Sequence, residues 1–253
     1  TAMERLSSGK KINSAADDAA GFAIAERMTA QIRGLNMATK NANDGLSMLG
    51  VIENATNDVT DMLHRMRELA IQATNDTNSD EDRAFLQLEV AQLKLEIDRV
   101  ATDTQYNGQE VLAGGFTSKS IQVGTEANQT ITFSVNGIKA DAIGSVDDSA
   151  YVSGIDISNA TDAQAGLQVI TDAIEQVAGD RATYGALQNR LEYTVSNLMN
   201  VAEFTTAARS RIEDADFAAE SARLAKAQVL QQTGTAMLAQ ANASSQLALS
   251  LIR

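Results

Sequence analysis

Side chains that could do chemistry are few in this chain, and their spacing does not form a reactive site. The 253 residues include one histidine, His64, and no cysteine. Zinc sites of the usual kind need several histidine or cysteine ligands, and no nucleophile–base set can be assembled from this sequence. We predict no catalytic residue, no cofactor-binding residue and no metal site, and we expect that the protein is not an enzyme.

One acidic run resembles the start of a calcium-binding loop. Asp76, Asn78 and Asp80 have the alternating spacing of the first oxygen ligands in such a loop. The loop needs a glycine at its sixth position, where Glu81 stands instead. We therefore favour a polar turn followed by a helix cap.

The composition favours long helices packed in a thin bundle. The chain contains no proline and no tryptophan, and aromatic residues make up only 4% of it. Because proline breaks helix interiors, its absence favours long uninterrupted helices. With so few aromatic side chains, alanine, leucine, isoleucine and methionine would fill narrow seams between helices.

The charge and hydropathy of the chain exclude two kinds of partner. The net charge of −13 argues against nucleic acid. No apolar run approaches the roughly 20 residues that span a membrane, so we expect no membrane insertion. The acidic excess lies in the middle of the chain, whereas both ends are nearly neutral and could pack against copies of themselves.

Heptad spacing predicts an antiparallel pair of helices in the first half of the chain. Apolar residues three and four apart run through residues 52–73, and again through residues 86–100. Between the two runs lies a polar turn, after which Ser79 and Asp82 have the spacing of a capping box. A third seam, in residues 167–198, predicts another long helix.

Turn and strand signals predict the remaining boundaries. Gly34 and the segment 43–45 predict interruptions of the first helical segment. Thr161-Asp162 predicts the cap of the third long helix. Residues 111–160 alternate β-branched with polar side chains, which predicts a small β element of two to four strands. Within it, residues 124–129 are predicted to form the loop of a hairpin.

Sequence blocks near both ends resemble bacterial flagellin. In the first half these blocks are Glu4-Arg5-Leu6-Ser7-Ser8-Gly9, Asp17-Asp18-Ala19-Ala20-Gly21, Asn41-Ala42-Asn43-Asp44-Gly45, Arg67-Glu68-Leu69-Ala70 and Gln105-Tyr106-Asn107-Gly108. In the second half they are Gln188-Asn189-Arg190, Ala208-Arg209-Ser210-Arg211-Ile212-Glu213-Asp214, Leu238-Ala239-Gln240-Ala241-Asn242 and Leu249-Ser250-Leu251-Ile252-Arg253. The resemblance covers about residues 1–113 and 165–253, and the order of the blocks makes it specific.

The resemblance implies a mainly α fold, a long antiparallel helical-bundle or coiled-coil rod with a small β element in the middle of the chain. Residues 1–40 and 214–253 would be terminal helical segments of the inner core. Residues 41–213 would form the rod domain, with the β element at about 111–160. We expect a short form of the family, with a trimmed N-terminal helix and a minimal variable region.

The function that the resemblance implies is structural. Subunits of this family assemble into the hollow helical filament of the bacterial flagellum, which serves motility, so we expect a secreted, extracellular protein. The implied partners are other copies of the chain, an export chaperone at the C-terminal helices, and the hook-associated and cap proteins. The alternatives are a hook–filament junction protein and a flagellin-like cell-surface adhesin or carbohydrate-binding protein.

Three residues resemble the patch by which many flagellins engage the vertebrate Toll-like receptor for flagellin. They are Arg65, Leu69 and Glu89. Arg65 and Leu69 are four residues apart and share a helix face, and Glu89 lies on the neighbouring predicted helix. The alternative interpretation is a solvated helix face with one seam residue beside it.

Overall fold

The computed structural model describes residues 2–145 and 150–251, and side chains for residues 2–144 and 150–242. The helices are α1 (Ala2–Ser8), α2 (Ala19–Ala73), α3 (Asp80–Asp103), α4 (Ala160–Glu213) and α5 (Phe217–Leu251). The strands are β1 (Gln105–Tyr106), β2 (Gln109–Glu110), β3 (Lys119–Gln122), β4 (Thr130–Phe133), β5 (Gly144–Ser145) and β6 (Ala150–Tyr151), and a 3-10 turn covers Val152–Gly154. The prediction of a mainly α chain with a small central β element is confirmed. Part of the predicted β segment and part of the last flagellin-like block lie outside the described residues.

The chain divides into two compact units. Unit 1 contains Thr1–Gly34 and Asn200–Arg253, and unit 2 contains Leu35–Met199. Helices α2 and α4 contribute residues to both units.

The core of unit 2 is the predicted heptad seam. Ile52, Val59, Leu63, Met66 and Leu69 of α2 are fully buried or nearly so. They pack with buried side chains of α3, α4 and the β element in a single apolar cluster. Because apolar side chains at this spacing form one stripe on a helix, the seam alone determines which face of α2 is covered.

Helices α2 and α3 form the predicted antiparallel pair. Ser79 caps α3 through the predicted capping box: its hydroxyl accepts the backbone N–H of Asp82, whose carboxylate accepts the N–H of Ser79. Arg83, buried near the start of α3, donates to the carbonyl oxygen of Ala73 at the end of α2. These contacts complete the polar turn and hold the two helix ends together.

Two predicted interruptions of α2 are wrong. The helix continues without a break through Gly34 and Gly45. At Gly45 the reason lies far along the chain, because a Cβ atom there would stand 2.3 Å from Cδ1 of Ile121 in β3. Glycine at position 45 therefore makes room for the β element, and tertiary packing outweighs its weak helix propensity.

The cap of α4 lies earlier than predicted. The helix begins at Ala160, and Asn159 accepts the backbone N–H of Asp162 through its side-chain oxygen. Thr161-Asp162 therefore falls inside the first turn, where the carboxylate of Asp162 interacts favourably with the helix dipole.

The β element consists of three two-stranded antiparallel sheets within the described residues. In the predicted hairpin, β3 pairs with β4 and Ile121 lies opposite Ile131. The β1–β2 hairpin turns at Asn107 and Gly108, with φ of 51° and 74°. Positive φ at both central residues is typical of a type I′ turn, for which Asn-Gly is the favoured pair.

Candidate functional site

A clasp of main-chain bonds joins the two terminal arms in unit 1. Lys10 and Asp214 form a short antiparallel bridge. The N–H of Lys11 donates to the carbonyl oxygen of Glu213 at 2.6 Å, and the N–H of Ala215 donates to that of Gly9 at 3.0 Å. Gly9 has a φ of +72°, a left-handed conformation that glycine adopts without a steric penalty. We call residues 9–11 and 213–215 the arm clasp.

Side chains reinforce the arm clasp. The Nζ of Lys10 and the carboxylate of Glu213 are 2.5 Å apart. On the paired helices α1 and α5, Arg5 donates to Oε1 of Glu220 at 3.0 Å. Arg223 donates to the same oxygen, and the Glu220 side chain is only 5% exposed. The hydrogen bond from Arg5 is the main reason why the pKa of Glu220 lies below its usual value.

The segment between α1 and α2 is fixed by two carboxylates. Asp17 accepts the backbone N–H groups of Asn13 and Ser14, which lowers the pKa of Asp17. Asp18 caps α2 by accepting the N–H of Gly21. A Cβ at Gly21 would lie 2.7 Å from Cδ1 of Ile12 and closer still to Asp18. The flagellin-like block Asp17-Asp18-Ala19-Ala20-Gly21 thus contains three of the residues that build this junction.

Helix α5 presents a long uncovered surface. Every described residue from 225 to 242 is exposed. The large apolar side chains in this stretch are 57–70% exposed: Val229, Leu230, Met237 and Leu238. Leu230 and Met237 are seven residues apart and lie on the same helix face. An apolar face of this length in a water-soluble helix is typical of a surface that another chain covers.

The structure brings two of the three predicted receptor-patch residues together. The Nε of Arg65 lies 2.7 Å from Oε1 of Glu89, and its NH1 lies 3.0 Å from Oε2 of Glu68. The Arg65 and Glu89 side chains are about half exposed. Hydrogen bonding to Glu89, and then to Glu68, raises the pKa of Arg65. Leu69 is 1% exposed and belongs to the core, so it is not part of the exposed surface that contains Arg65 and Glu89.

Sequence reasoning missed an apolar stripe on the outside of α3. Phe85, Leu88 and Leu95 are 62–71% exposed. They lie opposite Val90 and Ile97, the buried residues of the same helix. The signal was present in the sequence, because these residues form a second apolar series at helical spacing beside the seam in residues 86–100.

Two kinds of site are absent from the residues that the structure describes. No group of three or more histidine, aspartate and glutamate side chains in those residues could hold a metal ion. Within residues 2–145 and 150–251, no helix is long and apolar enough to cross a membrane.

Paired helical arms, a helical core and uncovered apolar helix faces define a structural protein that associates through helices. Comparison with known families identifies it further. The family model for the bacterial flagellin N-terminal helical region matches residues 1–117, and that for the flagellin C-terminal helical region matches residues 167–252. The chain belongs to the bacterial flagellin family.

Relatives of the whole chain agree with the family match. A flagellin of Halalkalibacterium halodurans is 42% identical over 252 residues, covering 100% of this chain and 91% of the relative. The flagellar filament 33 kDa core protein of Treponema phagedenis is 42% identical over 261 residues, covering 99% and 91%. A solved hook-associated protein of Vibrio parahaemolyticus, described as putative, has a TM-score of 0.65 at 14% identity, covering 78% of this chain and 100% of that one, and shows the fold alone.

The predicted function is confirmed. The protein is a structural subunit of the bacterial flagellar filament, which it forms by polymerising with copies of itself, and it is not an enzyme. The filament to which its relatives contribute is extracellular. The 42% sequence identity to a flagellin over the full chain favours flagellin over the alternative of a hook–filament junction protein. The hook-associated protein shares only the fold with this chain.

Proposed function

We propose that, within the filament, the terminal segments 1–40 and 214–253 form the inner self-associating layer and residues 41–213 form the surrounding rod domain. The observation that carries this proposal is the uncovered apolar face of α5. Helix α1, which pairs with α5, spans only seven residues, whereas α5 spans 35, and the described residues of α5 from 225 onward are exposed. Covering that face with other copies removes apolar surface from water, which is the main favourable term in protein association.

Charge supports the same arrangement. The α5 stretch 225–242 contains a single charged residue, Lys226. A nearly neutral helix can pack among identical helices without the repulsion that a charged one would meet. The acidic excess of the chain lies in residues 41–213, which suits an outer, solvated layer.

Seeded growth tests the role of α5. In Leu230→Asp and Met237→Asp variants, a carboxylate replaces an apolar side chain on the face to be buried, so we expect growth from filament seeds to be lost. Gln228→Asp adds the same charge on the opposite side of the helix from Leu230 and Met237, at an exposed position, and is the matched control, with growth retained. Normal growth of both apolar-site variants would contradict the proposal.

The uncovered face of α5 also fits an export chaperone. A partner with an apolar groove would shield Leu230 and Met237 before assembly, as helix-in-groove recognition does elsewhere. Such a partner would carry the protein towards secretion, and the hook-associated and cap proteins would then meet it at the filament ends. Binding of the full chain to the cognate chaperone should be lost in Leu230→Asp and kept in Gln228→Asp, which places the charge on the opposite side of the helix. Equal binding by the two variants would argue against this site.

A second candidate function is recognition by the Toll-like receptor for flagellin at Arg65, Leu69 and Glu89. The observation that favours it is the half-exposed Arg65–Glu89 pair, whose two side chains are held in one geometry on adjacent helices. A fixed charged pair loses less side-chain entropy on binding than two free ones. Leu69 would act indirectly, by holding the α2 backbone beneath Arg65.

Receptor signalling by the monomer tests this patch. We expect Arg65→Ala combined with Glu89→Ala to weaken signalling, while Arg181→Ala, a change elsewhere in unit 2, leaves it unaltered. Helix content by circular dichroism should be the same in both variants, because exposed ion pairs contribute little stability. Undiminished signalling by the double variant would dismiss the patch.

A further inference from the structure

The outward side of α3 is apolar, although it faces away from the core of unit 2. Phe85, Leu88 and Leu95 fall within one stripe, on the opposite side of the helix from Val90 and Ile97. Single exposed apolar residues are common on proteins, but here three lie on one face of a 24-residue helix, with Gln92 between Leu88 and Leu95. We call these three residues the outer α3 stripe.

Ion pairs with a net negative charge border the outer α3 stripe. Arg99 lies 2.5 Å from Glu96 and 3.2 Å from Asp103. Arg65 is likewise shared by two carboxylates, one of which is Glu89, the residue that follows Leu88 in the chain. Each arginine is matched by two carboxylates, so each group retains one negative charge. A partner surface that meets this border should therefore carry an arginine or lysine.

The outward side of α4 in unit 2 has the complementary features. Gly179, Ala182, Ala186, Arg190 and Tyr193 lie within one stripe, opposite the buried side of the helix. Tyr193 is 79% exposed, and Arg190 makes no ion pair with any described residue. We call these five residues the outer α4 face.

One residue of the outer α4 face is unexplained by the isolated molecule. A Cβ added at Gly179 would meet no atom within 4 Å. Glycine weakens a helix interior relative to alanine, so its presence needs a reason. Gly45 in α2 has such a reason within the chain, in its contact with Ile121. At Gly179 the described chain offers none, and close approach by a different molecule would supply it.

These two surfaces cannot meet within one molecule, because each points away from the core that α3 and α4 share. Two copies of the chain can bring them together. An open helical polymer requires such a contact, since each subunit must offer two different, complementary surfaces rather than one self-complementary surface. We propose that the outer α3 stripe of one subunit packs against the outer α4 face of a neighbouring subunit in the filament.

The chemistry of the two surfaces fits this contact. The Phe85, Leu88 and Leu95 side chains form a ridge, and the small residues of the outer α4 face leave space for one, so the helix axes can approach closely. The neighbour's Arg190 would approach the negatively charged border of the stripe. One such contact is small beside a standard protein interface, but every copy in a filament repeats it. The proposal rests on the filament-forming function described above.

Cysteine cross-linking tests the contact directly, because the chain contains no cysteine of its own. Leu88→Cys and Ala186→Cys are made in separate full-length chains, one of them isotopically labelled, and are grown together from filament seeds. A disulfide needs Cα atoms roughly 4.4–6.8 Å apart, so mild oxidation reports only close contacts. We expect labelled–unlabelled disulfide dimers in mixed filaments and none in the same mixture kept monomeric.

Controls separate this contact from general crowding. Each cysteine variant polymerised alone should give no dimer, and Leu88→Cys mixed with Asn57→Cys, at an exposed site on α2, should give none. Mixed filaments without the Leu88–Ala186 cross-link, or with equal yield from the control pair, would overturn the contact while leaving the filament function intact. Failure of the unsubstituted protein to extend seeds would instead overturn the filament function, and the contact with it.

A second measurement covers the case in which a cysteine variant does not polymerise. Leu88→Ala combined with Tyr193→Ala removes side chains from both surfaces, and both positions are exposed in the monomer. We expect an unchanged far-ultraviolet circular dichroism spectrum and a higher protein concentration needed for seeded growth. Asn57→Ala should alter neither. An unchanged concentration requirement in the double variant would contradict the proposal.

Discussion

Arg83 at the start of α3 donates its Nε–H to the carbonyl oxygen of Ala73, the last residue of α2, at 2.8 Å. Its NH2 donates to the carbonyl oxygen of Asn75 at 3.2 Å, and its NH1 lies 2.9 Å from Asp80. The buried guanidinium therefore satisfies the carbonyl group of Ala73, which the end of α2 leaves without a helical partner, and adds a second donor to the carbonyl group of Asn75 in the turn. Arg83 holds the turn between the two helices from the inside.

Replacing Arg83 should destabilise unit 2. Arg83→Met keeps much of the apolar stem, but it removes the side-chain donor to the carbonyl oxygen of Ala73 and one of the two donors to that of Asn75, which retains the N–H of Asn78. We expect the free energy of unfolding to fall by about 2–3 kcal/mol, as for buried groups that lose their hydrogen bonds. Urea denaturation followed by circular dichroism measures the loss. Arg67→Met, at an exposed site on α2, is the control and should stay within about 0.5 kcal/mol of the parent.

Two glycines of α2 should respond to alanine with opposite signs. In Gly45→Ala the new methyl group would collide with Ile121, which must shift, so we expect a loss of about 1–3 kcal/mol. In Gly50→Ala the methyl group meets nothing within 4 Å, so improved helix propensity should add up to about 1 kcal/mol. Thermal unfolding of the two variants beside the parent checks this. Stabilisation by both changes would show that Ile121 of β3 does not restrict the space at position 45.

The raised pKa of Asp180 should be detectable in the pH dependence of the free energy of unfolding. Its Oδ1 accepts a hydrogen bond from Asn136, while Oδ2 is buried and has no hydrogen-bond partner among the described residues. Burial raises the pKa of Asp180 above its ordinary value of 3.8. Because the folded state then binds the proton more tightly, this group favours folding at pH values below 3.8. That contribution is lost as the pH rises through the folded-state pKa.

Asp180→Asn removes this titration and keeps an oxygen for Asn136. We expect the variant to be more stable than the parent at neutral pH and to lose that advantage as the pH falls towards 3.8. Urea unfolding at a series of pH values measures both effects. Burial, and then the charge of Asp180, raises the pKa of Tyr184 to about 12, so the pKa of Tyr184 should also fall in the variant. A constant stability difference across the pH range would argue against a titrating Asp180.

Amide exchange should separate α5 from α3 in the free monomer. The described residues 225–242 of α5 are exposed to solvent, whereas one side of α3 is packed into the core of unit 2. Helices without tertiary partners are marginally stable, so we expect fast exchange in α5 and slow exchange in α3. After polymerisation, α5 should become protected. Strong protection of α5 in the monomer would contradict its dependence on assembly.

Local spacing was sufficient to predict the buried face of α2, the start of α3 and one β-hairpin. The seam in residues 52–73, the capping box at Ser79 and the β3–β4 hairpin all depend on neighbours within a few residues, and each is present as predicted. The ordered blocks on both arms also identified the family without a structure. The burial of Leu69 was readable in the same way, because it lies in the heptad seam.

Contacts between distant parts of the chain were decided only by the tertiary structure. From the sequence alone, Gly45 is typical of a helix end. Only the tertiary structure shows that Ile121 of β3 packs against it. Arg65 meets Glu89 because the antiparallel register of α2 and α3 brings them together, and the arm clasp joins residues more than 200 positions apart. A heptad pattern gives the side of a helix that is buried, because periodicity is a property of one segment. The same pattern does not predict which element packs on the buried side, because that depends on how separate elements are arranged in space.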